Sequence, residues 1–468
     1  MKDVYRRILE SIPDYKTFLT IDEMNASSKA LADRYPDVVE LTELGRSREG
    51  EPLLCLKIGN GSHPALMFGC PHPNEPIGTM MLEYFTEQLA ADQELRESLD
   101  YTWYIVKVWD IDGFRMNEPW LKGPYTLYNY SRNFFRPAGH KQVDWTFPVD
   151  YKKLHFHEPL PETQAMMKLI DDVKPEFIYA LHNAGFGGVY WYLTEPAPET
   201  YEAMYKAAET QKIPVNLGEP EAPYLAAFAP AIYASMGIEQ DYDYLEQYTD
   251  ADMSQAIRAG TCGADYARKK WNSFTLLTEL PYFYDRRIDD GTASDVLRRD
   301  AVVEKCDWSV KTNQVIRDIL ALSRDYLDPE NPFLLALDAF GDDEIILAEK
   351  KMAETDPAYD KAATVAEEFD NRLISKFYKL LSYGMLVRAN EYELKRLGPE
   401  QAETEGAKAL RRAFTEAEKV HRQLAEQLEE DIDYEVIPIR KLISIQLECG
   451  LIIAEYLKEQ HRQEEPLS

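Results

Sequence analysis

Three short motifs contain residue types that can bind a divalent metal ion and use it to hydrolyse a bond. The first is His72-Pro73-Asn74-Glu75, which follows an apolar strand predicted at 65–68 and precedes a predicted helix. A histidine and a glutamate at the carboxyl end of a strand lie where open α/β sheets place their sites. A catalytic zinc normally takes three protein ligands and keeps one position for water, so a third ligand must come from elsewhere.

The other two motifs are strand ends of the same kind. His182 closes the apolar run 177–181, so its imidazole would face the same crevice as the first motif. Glu279 closes another strand that is too apolar to carry a charge without a reason. A buried carboxylate near a bound metal is a suitable general base for removing a proton from water. Together the three motifs predict a one-metal hydrolytic site in which Glu279 is the base.

Strands and helices alternate along roughly the first 290 residues, and they must position these motifs. Short apolar runs predict strands at 65–68, 104–109, 177–181, 189–193 and 274–277. Helical spacing of apolar residues predicts helices at 76–99 and 162–173. Such alternation implies an α/β fold with a parallel or mixed central sheet covered by helices on both faces.

Beyond about residue 295 helical periodicity dominates and predicted strands disappear. Apolar stripes run along 365–381 and 410–424, and 436–457 is apolar around most of its circumference. We predict two domains, a zinc hydrolase domain at 1–295 and an all-helical C-terminal domain at 296–468. The helical domain is expected to pack on the catalytic domain or to form a homo-oligomer.

Charge and cysteine content exclude several classes of function. The 468 residues include 52 Lys and Arg against 82 Asp and Glu, a net charge of −30. This field repels phosphate backbones and anionic lipids, so we expect binding neither to nucleic acid nor to a membrane. No apolar stretch reaches the roughly 20 residues of a membrane span. Five scattered cysteines without CxxC spacing favour free thiols, and we predict a cytoplasmic protein.

Over about its first 285 residues the sequence resembles the zinc carboxypeptidase superfamily. Four segments carry the resemblance. Gly45-Arg-Ser-Arg-Glu-Gly-Glu-Pro52 is similar to the family's opening hairpin, and Asp110-Ile-Asp-Gly113 is similar to its Asn-Pro-Asp-Gly turn. Ser131-Arg132-Asn133-Phe134 is similar to its Asn-Arg-Asn-Phe segment, and Ala264-Asp265-Tyr266 with the strand to Glu279 is similar to its specificity loop and catalytic strand. The resemblance implies a carboxypeptidase-like α/β/α fold with a central mixed sheet.

The resemblance also implies roles for individual residues. His72, Glu75 and His182 would bind one zinc ion per chain, and Glu279 would act first as base and then as acid to the leaving amine. Arg132 would hold the free carboxylate of the substrate, because a guanidinium pairs with a carboxylate bidentately and so positions the scissile amide. The other expected substrate contacts are Asn133, Ala264 and Lys122.

Departures from the family pattern bear on the substrate. The family's second arginine is expected within Trp120-Leu121-Lys122, so it is either missing or replaced by Lys122, and Ile257 aligns with the family's mobile tyrosine. Ala264 occupies the pocket position of the specificity loop, and its uncharged side chain favours an apolar or aromatic terminal residue. Arg136 and Lys122 are available for a contact with an anionic group.

These observations favour a metallocarboxypeptidase that releases a C-terminal residue from peptides. The first motif is also similar to the start of the aspartoacylase and succinylglutamate desuccinylase branch, whose members hydrolyse N-acyl amino acids with the same metal and base. That branch tends to carry a β-rich C-terminal addition, whereas the addition here is predicted to be helical. A non-catalytic binding or scaffold protein is the third possibility, and the intact set of four site residues argues against it.

Overall fold

A mixed β-sheet forms the centre of the protein, as shown by a computed structural model that describes residues 2–464. The strands in chain order are β1 (Val39–Arg46), β2 (Pro52–Ile58), β3 (His63–Gly69), β4 (Tyr101–Val106), β5 (Val149–Tyr151), β6 (Leu154–Phe156), β7 (Phe177–His182), β8 (Tyr190–Leu193), β9 (Ala227–Ala229), β10 (Ile232–Ala234), β11 (Phe274–Glu279), β12 (Phe283–Tyr284), β13 (Ala293–Leu297), β14 (Ala362–Thr364) and β15 (Glu435–Val436). Within the described range nine of them form one sheet, in the order β1-β2-β4-β3-β7-β11-β8-β10-β9. The adjacent strands β4, β3, β7 and β11 are parallel, and β8 runs antiparallel to β11. The predicted mixed sheet is therefore confirmed.

Helices pack against this sheet and continue beyond it. In chain order they are α1 (Asp3–Glu10), α2 (Ile21–Arg34), α3 (Ile77–Ala91), α4 (Gln93–Leu99), α5 (Ile111–Leu121), α6 (Leu127–Asn133), α7 (Pro161–Val173), α8 (Pro198–Gln211), α9 (Ile238–Tyr248), α10 (Met253–Ala256), α11 (Gly263–Trp271), α12 (Arg298–Leu320), α13 (Pro332–Phe340), α14 (Asp343–Thr355), α15 (Val365–Phe369), α16 (Ser375–Arg396), α17 (Glu405–Asp431) and α18 (Ile439–Glu464). The helix expected at 76–99 is divided because Asp92 caps α4, accepting a hydrogen bond from the Leu95 amide at 3.1 Å.

The strands that lead to the site are buried, and the turn after β3 is tight. All six residues of β7 are buried, which explains its continuous apolar sequence. Cys70 has a φ of +53°, in the left-handed region. A side chain at Gly69 would place its Cβ 2.7 Å from the Lys107 carbonyl oxygen. This turn brings the first motif to the carboxyl edge of the sheet before α3 begins.

The region beyond residue 295 is mainly helical, as its apolar stripes predict. Helix α16 packs along α17 and on α6, and α18 packs on α3 and α8 and against the sheet. Two short strands, β14 and β15, also occur in this region and pair with β13 and β12, so it is not entirely helical. One continuous apolar core includes residues from both regions. The domain boundary after residue 295 stays a prediction.

The cysteines and the lengths of the helices can also be compared with the sequence analysis. All five cysteines are buried and unpaired, as their scattered positions predict. Within residues 2–464, every helix is too short or too polar to cross a membrane.

The packing of α16 on α6 depends on Gly384. A Cβ at this position would overlap the carbonyl oxygen of Ser131, so the two helices could not keep their spacing. Alanine normally stabilises a helix relative to glycine by about 1 kcal/mol. We expect Gly384→Ala instead to lower the free energy of unfolding by about 2 kcal/mol, measured by urea denaturation. Gly291→Ala is the control, because a Cβ there would meet nothing within 4 Å. An unchanged or raised stability of Gly384→Ala would contradict this packing.

Candidate active site

The structure brings the three predicted metal ligands together at the carboxyl ends of β3 and β7. His72 Nδ1 lies 2.9 Å from Glu75 Oε1, and His182 Nδ1 lies 3.1 Å from Glu75 Oε2. One ligand atom from each side chain lies within 4.8 Å of the other two, and all three residues are buried. Two imidazole nitrogens and a carboxylate oxygen that converge in this way match the ligand types of a catalytic zinc site.

His72 Nδ1 is hydrogen-bonded to Glu75 Oε1, but other polar atoms of this cluster are not satisfied by hydrogen bonds. Glu75 Oε2 and both ring nitrogens of His182 are buried without a hydrogen-bond partner within residues 2–464. Leaving a buried polar atom unpaired costs about 1–3 kcal/mol. Burial, followed by the charge of Arg136, lowers the pKa of His72 to about 3, so its imidazole is neutral and can offer a lone pair. A divalent cation would satisfy these atoms, and the residues present therefore fit a zinc ion.

Hydrogen bonds from neighbouring elements hold the backbone around the ligands. Asn183 Oδ1 accepts from the Ile77 amide at 3.0 Å and from the Tyr282 hydroxyl at 3.2 Å. The Gln446 side chain of α18 donates to the carbonyl oxygen of His182 at 3.2 Å. A helix of the C-terminal region thus contacts the backbone of a predicted metal ligand.

Glu279 ends β11 directly beside the metal-ligand cluster. It is paired in register with His182 on β7, and its Oε1 lies 3.7 Å from His182 Nδ1. Burial, together with the negative charges of Glu221 and Glu75, raises the pKa of Glu279 well above its usual range. A carboxyl group with raised proton affinity at this distance is suited to accept a proton and pass it on. A bound divalent cation would counteract the shift, because its charge favours the carboxylate.

A cavity of about 590 Å³ opens over these residues. The metal-ligand cluster and Glu279 form part of its wall, and so does Ala264 of the predicted specificity loop. Helix α16 supplies another part of the wall with Tyr378, Lys379 and Ser382. The size is that of a site for a small ligand or a short peptide end.

Arg132, which the resemblance implies as the contact for the substrate's carboxylate, is not among the residues that line this cavity. Its Nε donates to Glu418 at 2.6 Å, and its Nη1 lies 3.4 Å from Glu391. These carboxylates belong to α17 and α16, so the guanidinium joins the C-terminal helices to α6. The partners are more than 250 residues away along the chain, and no local motif indicates them.

Lys122 and Asn133 also lie outside the cavity wall. The Lys122 ammonium donates to Glu23 at 2.7 Å near the N-terminal helices. The Asn133 amide donates to the backbone and side chain of Asn129 at 3.0 and 3.1 Å. Both side chains stabilise their own segments in this structure.

Two residues without an assigned role in the sequence motifs line the cavity. Among the described residues, Arg136 is the only arginine that lines the cavity. Its Nη1 lies 3.4 Å from Glu75 Oε1. Asp144 is buried and accepts a hydrogen bond from the Gly263 amide at 2.9 Å. Burial raises the pKa of Asp144 to about 6, while the nearby imidazole of His182 opposes the shift. The sequence indicates only weakly that Asp144 belongs to the site, because it is a single acidic residue between Val143 and Trp145.

The segment that carries the metal-ligand cluster also matches a known family. A family model described as zinc carboxypeptidase matches residues 24–276, which is more than half of the chain. The chain belongs to the zinc carboxypeptidase family. The matched segment ends three residues before Glu279 and leaves out the helical C-terminal region.

Individual relatives of this zinc carboxypeptidase family member are distant. The inactive metallocarboxypeptidase ecm14 of Schizosaccharomyces pombe is 29% identical over 136 residues, covering 25% of this chain. The match spans about a quarter of that relative, 27% of its length. Among solved structures, a metallo-carboxypeptidase from Burkholderia cenocepacia is 16% identical with a TM-score of 0.34, covering 56% of this chain and 60% of the other. Carboxypeptidase A from Helicoverpa armigera is 14% identical with a TM-score of 0.36, covering 60% and 71%.

We expect elemental analysis of the purified protein to find one zinc ion per chain. His182→Ala should lose most of this metal, because two ligands do not hold a catalytic zinc. Glu279→Gln is the control and should retain it, because Glu279 is not among the three ligands. Chelation should lower the Tm of the wild type, since zinc binds the folded state. Equal zinc in His182→Ala and the wild type would contradict the assigned ligands.

Proposed function

We propose that this protein is a zinc-dependent metallocarboxypeptidase, which hydrolyses the amide bond next to a free carboxylate and releases a C-terminal residue from short peptides. The observation that carries the proposal is the convergence of His72, Glu75 and His182 in one cavity with Glu279, 3.7 Å from His182. Family membership supports the same class of reaction.

The chain supplies the groups that such a hydrolysis needs. A zinc ion held by His72, Glu75 and His182 would polarise the substrate carbonyl and make water acidic enough to be deprotonated near neutral pH. Glu279 accepts the proton as the water oxygen bonds to the carbonyl carbon. When the carbon–nitrogen bond breaks, Glu279 returns that proton to the leaving nitrogen. The products are a shortened peptide with a new carboxylate and a free amino acid.

Arg136 takes the role that the motif implied for Arg132. Its side chain is 30% exposed and lines the cavity beside Glu75, whereas Arg132 is held by two glutamates of the C-terminal helices. A guanidinium can pair bidentately with the substrate's terminal carboxylate and so place the scissile amide at the metal site.

Two other functions use the same fold. Hydrolysis of an N-acyl amino acid would need the same four residues and the same carboxylate contact, and the family match supports the peptidase instead. A non-catalytic role has precedent, because one relative is named inactive. The complete set of three ligands and a buried base supports activity in this chain.

Replacing the base gives the direct test of activity. We expect Glu279→Gln to lower kcat by about 10²–10⁴-fold while the zinc content stays unchanged, because the amide cannot accept the proton. Hydrolysis is measured on a panel of acylated dipeptides and N-acyl amino acids, with and without a chelator. Turnover of N-acyl amino acids alone would favour the deacylase, and the absence of hydrolysis by the zinc-loaded wild type would favour the non-catalytic role.

Kinetic measurements should distinguish the roles of Arg136 and Arg132. We expect Arg136→Gln to lower kcat/KM by about tenfold to a hundredfold on peptides with a free carboxylate, because a charge-assisted hydrogen bond contributes about 1.5–3 kcal/mol. The same variant should change hydrolysis of the matching C-terminal amide much less. Arg132→Gln is the matched control and should mainly lower thermal stability. Equal losses on both substrates would argue against a carboxylate contact.

A further inference from the structure

Asn183 directly follows the predicted metal ligand His182 and forms part of the wall of the catalytic cavity. The residue is 4% exposed. Its Oδ1 accepts two hydrogen bonds, from the Ile77 amide at 3.0 Å and from the Tyr282 hydroxyl at 3.2 Å. One donor lies at the start of α3, and the other lies between β11 and β12. The side chain of Asn183 is therefore held by two separate segments of the chain.

These contacts determine the orientation of the amide group. A backbone N–H can only donate, so the atom of Asn183 that faces the Ile77 amide must be the side-chain oxygen. The nitrogen Nδ2 then lies on the other side of the amide group. It is buried and has no hydrogen-bond partner within residues 2–464. Asn183 thus presents an N–H donor that is fixed in place and has no acceptor.

A buried donor without an acceptor is unfavourable, and its presence in a folded protein needs a reason. Other groups of this site have unpartnered atoms too. Within the described residues, Glu75 Oε2, Glu279 Oε2 and both ring nitrogens of His182 are buried without a hydrogen-bond partner. Asn183 adds a neutral N–H donor to this set, and a metal ion together with a substrate would satisfy these atoms.

The proposed hydrolysis uses a donor of this kind. As the water oxygen bonds to the carbonyl carbon, the electron pair of the C=O bond moves to the carbonyl oxygen. The negative charge on that oxygen is stabilised best by a donor that is already oriented and shielded from water. Asn183 meets both conditions, because its Oδ1 is held by two donors and its side chain is buried. It also adjoins a predicted metal ligand, so a carbonyl group polarised at the metal site would lie close to it.

Other polar groups in the cavity wall are less suited to this role. The hydroxyls of Tyr190 and Tyr192 already donate to Glu221, at 2.5 and 2.8 Å. Asn74 also lines the cavity, but its unpartnered atom is Oδ1, which is an acceptor. An acceptor would repel a developing negative charge, whereas the Asn183 nitrogen would attract it.

We infer that Asn183 is a further catalytic residue, whose Nδ2 donates a hydrogen bond to the carbonyl oxygen of the scissile amide as negative charge develops there. No proton leaves Asn183, because the proton of the attacking water passes to Glu279 and from there to the leaving nitrogen. The inference rests on the proposed carboxypeptidase function and names the residue that stabilises its oxyanion. The residue lies outside the sequence motifs, since only its contacts with Ile77 and Tyr282 determine which atom is left without a partner.

Two variants remove the donor. Asn183→Ala removes the whole amide, whereas Asn183→Asp keeps an oxygen for Ile77 and Tyr282 and so protects the fold. We expect either variant, loaded with zinc, to lower kcat on benzoyl-glycyl-phenylalanine by about 10²–10³-fold, the effect of losing one oxyanion donor. KM should be nearly unchanged, because the contact strengthens in the transition state. Asn390→Ala is the control, as it removes a buried amide that bonds Ser323 away from the cavity wall, and it should lower Tm but keep kcat.

A binding measurement tests the same contact without turnover. In the phosphonate analogue of this peptide, a tetrahedral phosphorus with a negatively charged oxygen replaces the scissile carbonyl. Calorimetry compares this analogue with free phenylalanine, a product that lacks the charged oxygen, in the zinc-loaded wild type and both variants. We expect the variants to bind the analogue at least about tenfold more weakly, to bind phenylalanine unchanged, and to keep one zinc ion per chain. A purely structural role of Asn183 would not separate the two ligands.

The outcomes distinguish this inference from the proposed function. Hydrolysis by the wild type with kcat retained in both variants would overturn the role of Asn183 and leave the carboxypeptidase proposal intact. Equal weakening of both ligands would also overturn it. A wild type that hydrolyses no peptide but binds the phosphonate through Asn183 would support the donor and count against the peptidase. A wild type that neither hydrolyses the peptide nor binds the phosphonate would overturn both.

Discussion

The convergence of buried lone pairs from His72, Glu75 and His182 is the constraint on which the rest of the structure depends. These atoms lie close together, and several of them have no hydrogen-bond partner within the described residues. Unpaired polar atoms in a buried crevice are costly, so the cluster is stable only in a rigid scaffold or with a bound cation. The parallel strands β3, β7 and β11 supply that rigidity, because their carboxyl ends meet at one edge of the sheet.

The C-terminal helices contribute to the same scaffold. Gln446 of α18 donates to the backbone of His182, and Arg388 of α16 donates to carbonyl oxygens of Asn133 and Phe134 at 2.6 and 3.1 Å. Together with the ion pairs of Arg132, these contacts hold the segment that leads to Arg136. An arginine that the family motif associates with substrate thus has a structural position, and a neighbouring arginine reaches the cavity. The helical region also supplies part of the cavity wall.

Charged side chains of both signs line the cavity. Arg136 lies beside Glu75, and Glu221 accepts a hydrogen bond from Tyr190, which is paired in register with Glu279. Glu221 is exposed and the Arg136 side chain is 30% exposed, so a charged group of a ligand can reach both of them. Although the chain has a net charge of −30, the cavity wall contains positively charged side chains as well as negatively charged ones.

The sequence by itself determined the features that depend on neighbours along the chain. Apolar runs predicted β3, β7, β8 and β11, and the polar residues at their ends predicted the metal ligands and the base, because a charge at the end of a buried strand needs a function. Helical stripes predicted the character of the C-terminal region for the same local reason. Tertiary structure alone decided which charged groups meet. Arg132 finds Glu418, and Glu221 finds two tyrosines of β8, through contacts between segments far apart in the sequence. The partners of a side chain depend on packing in three dimensions, so the spacing of residues in a motif does not predict them.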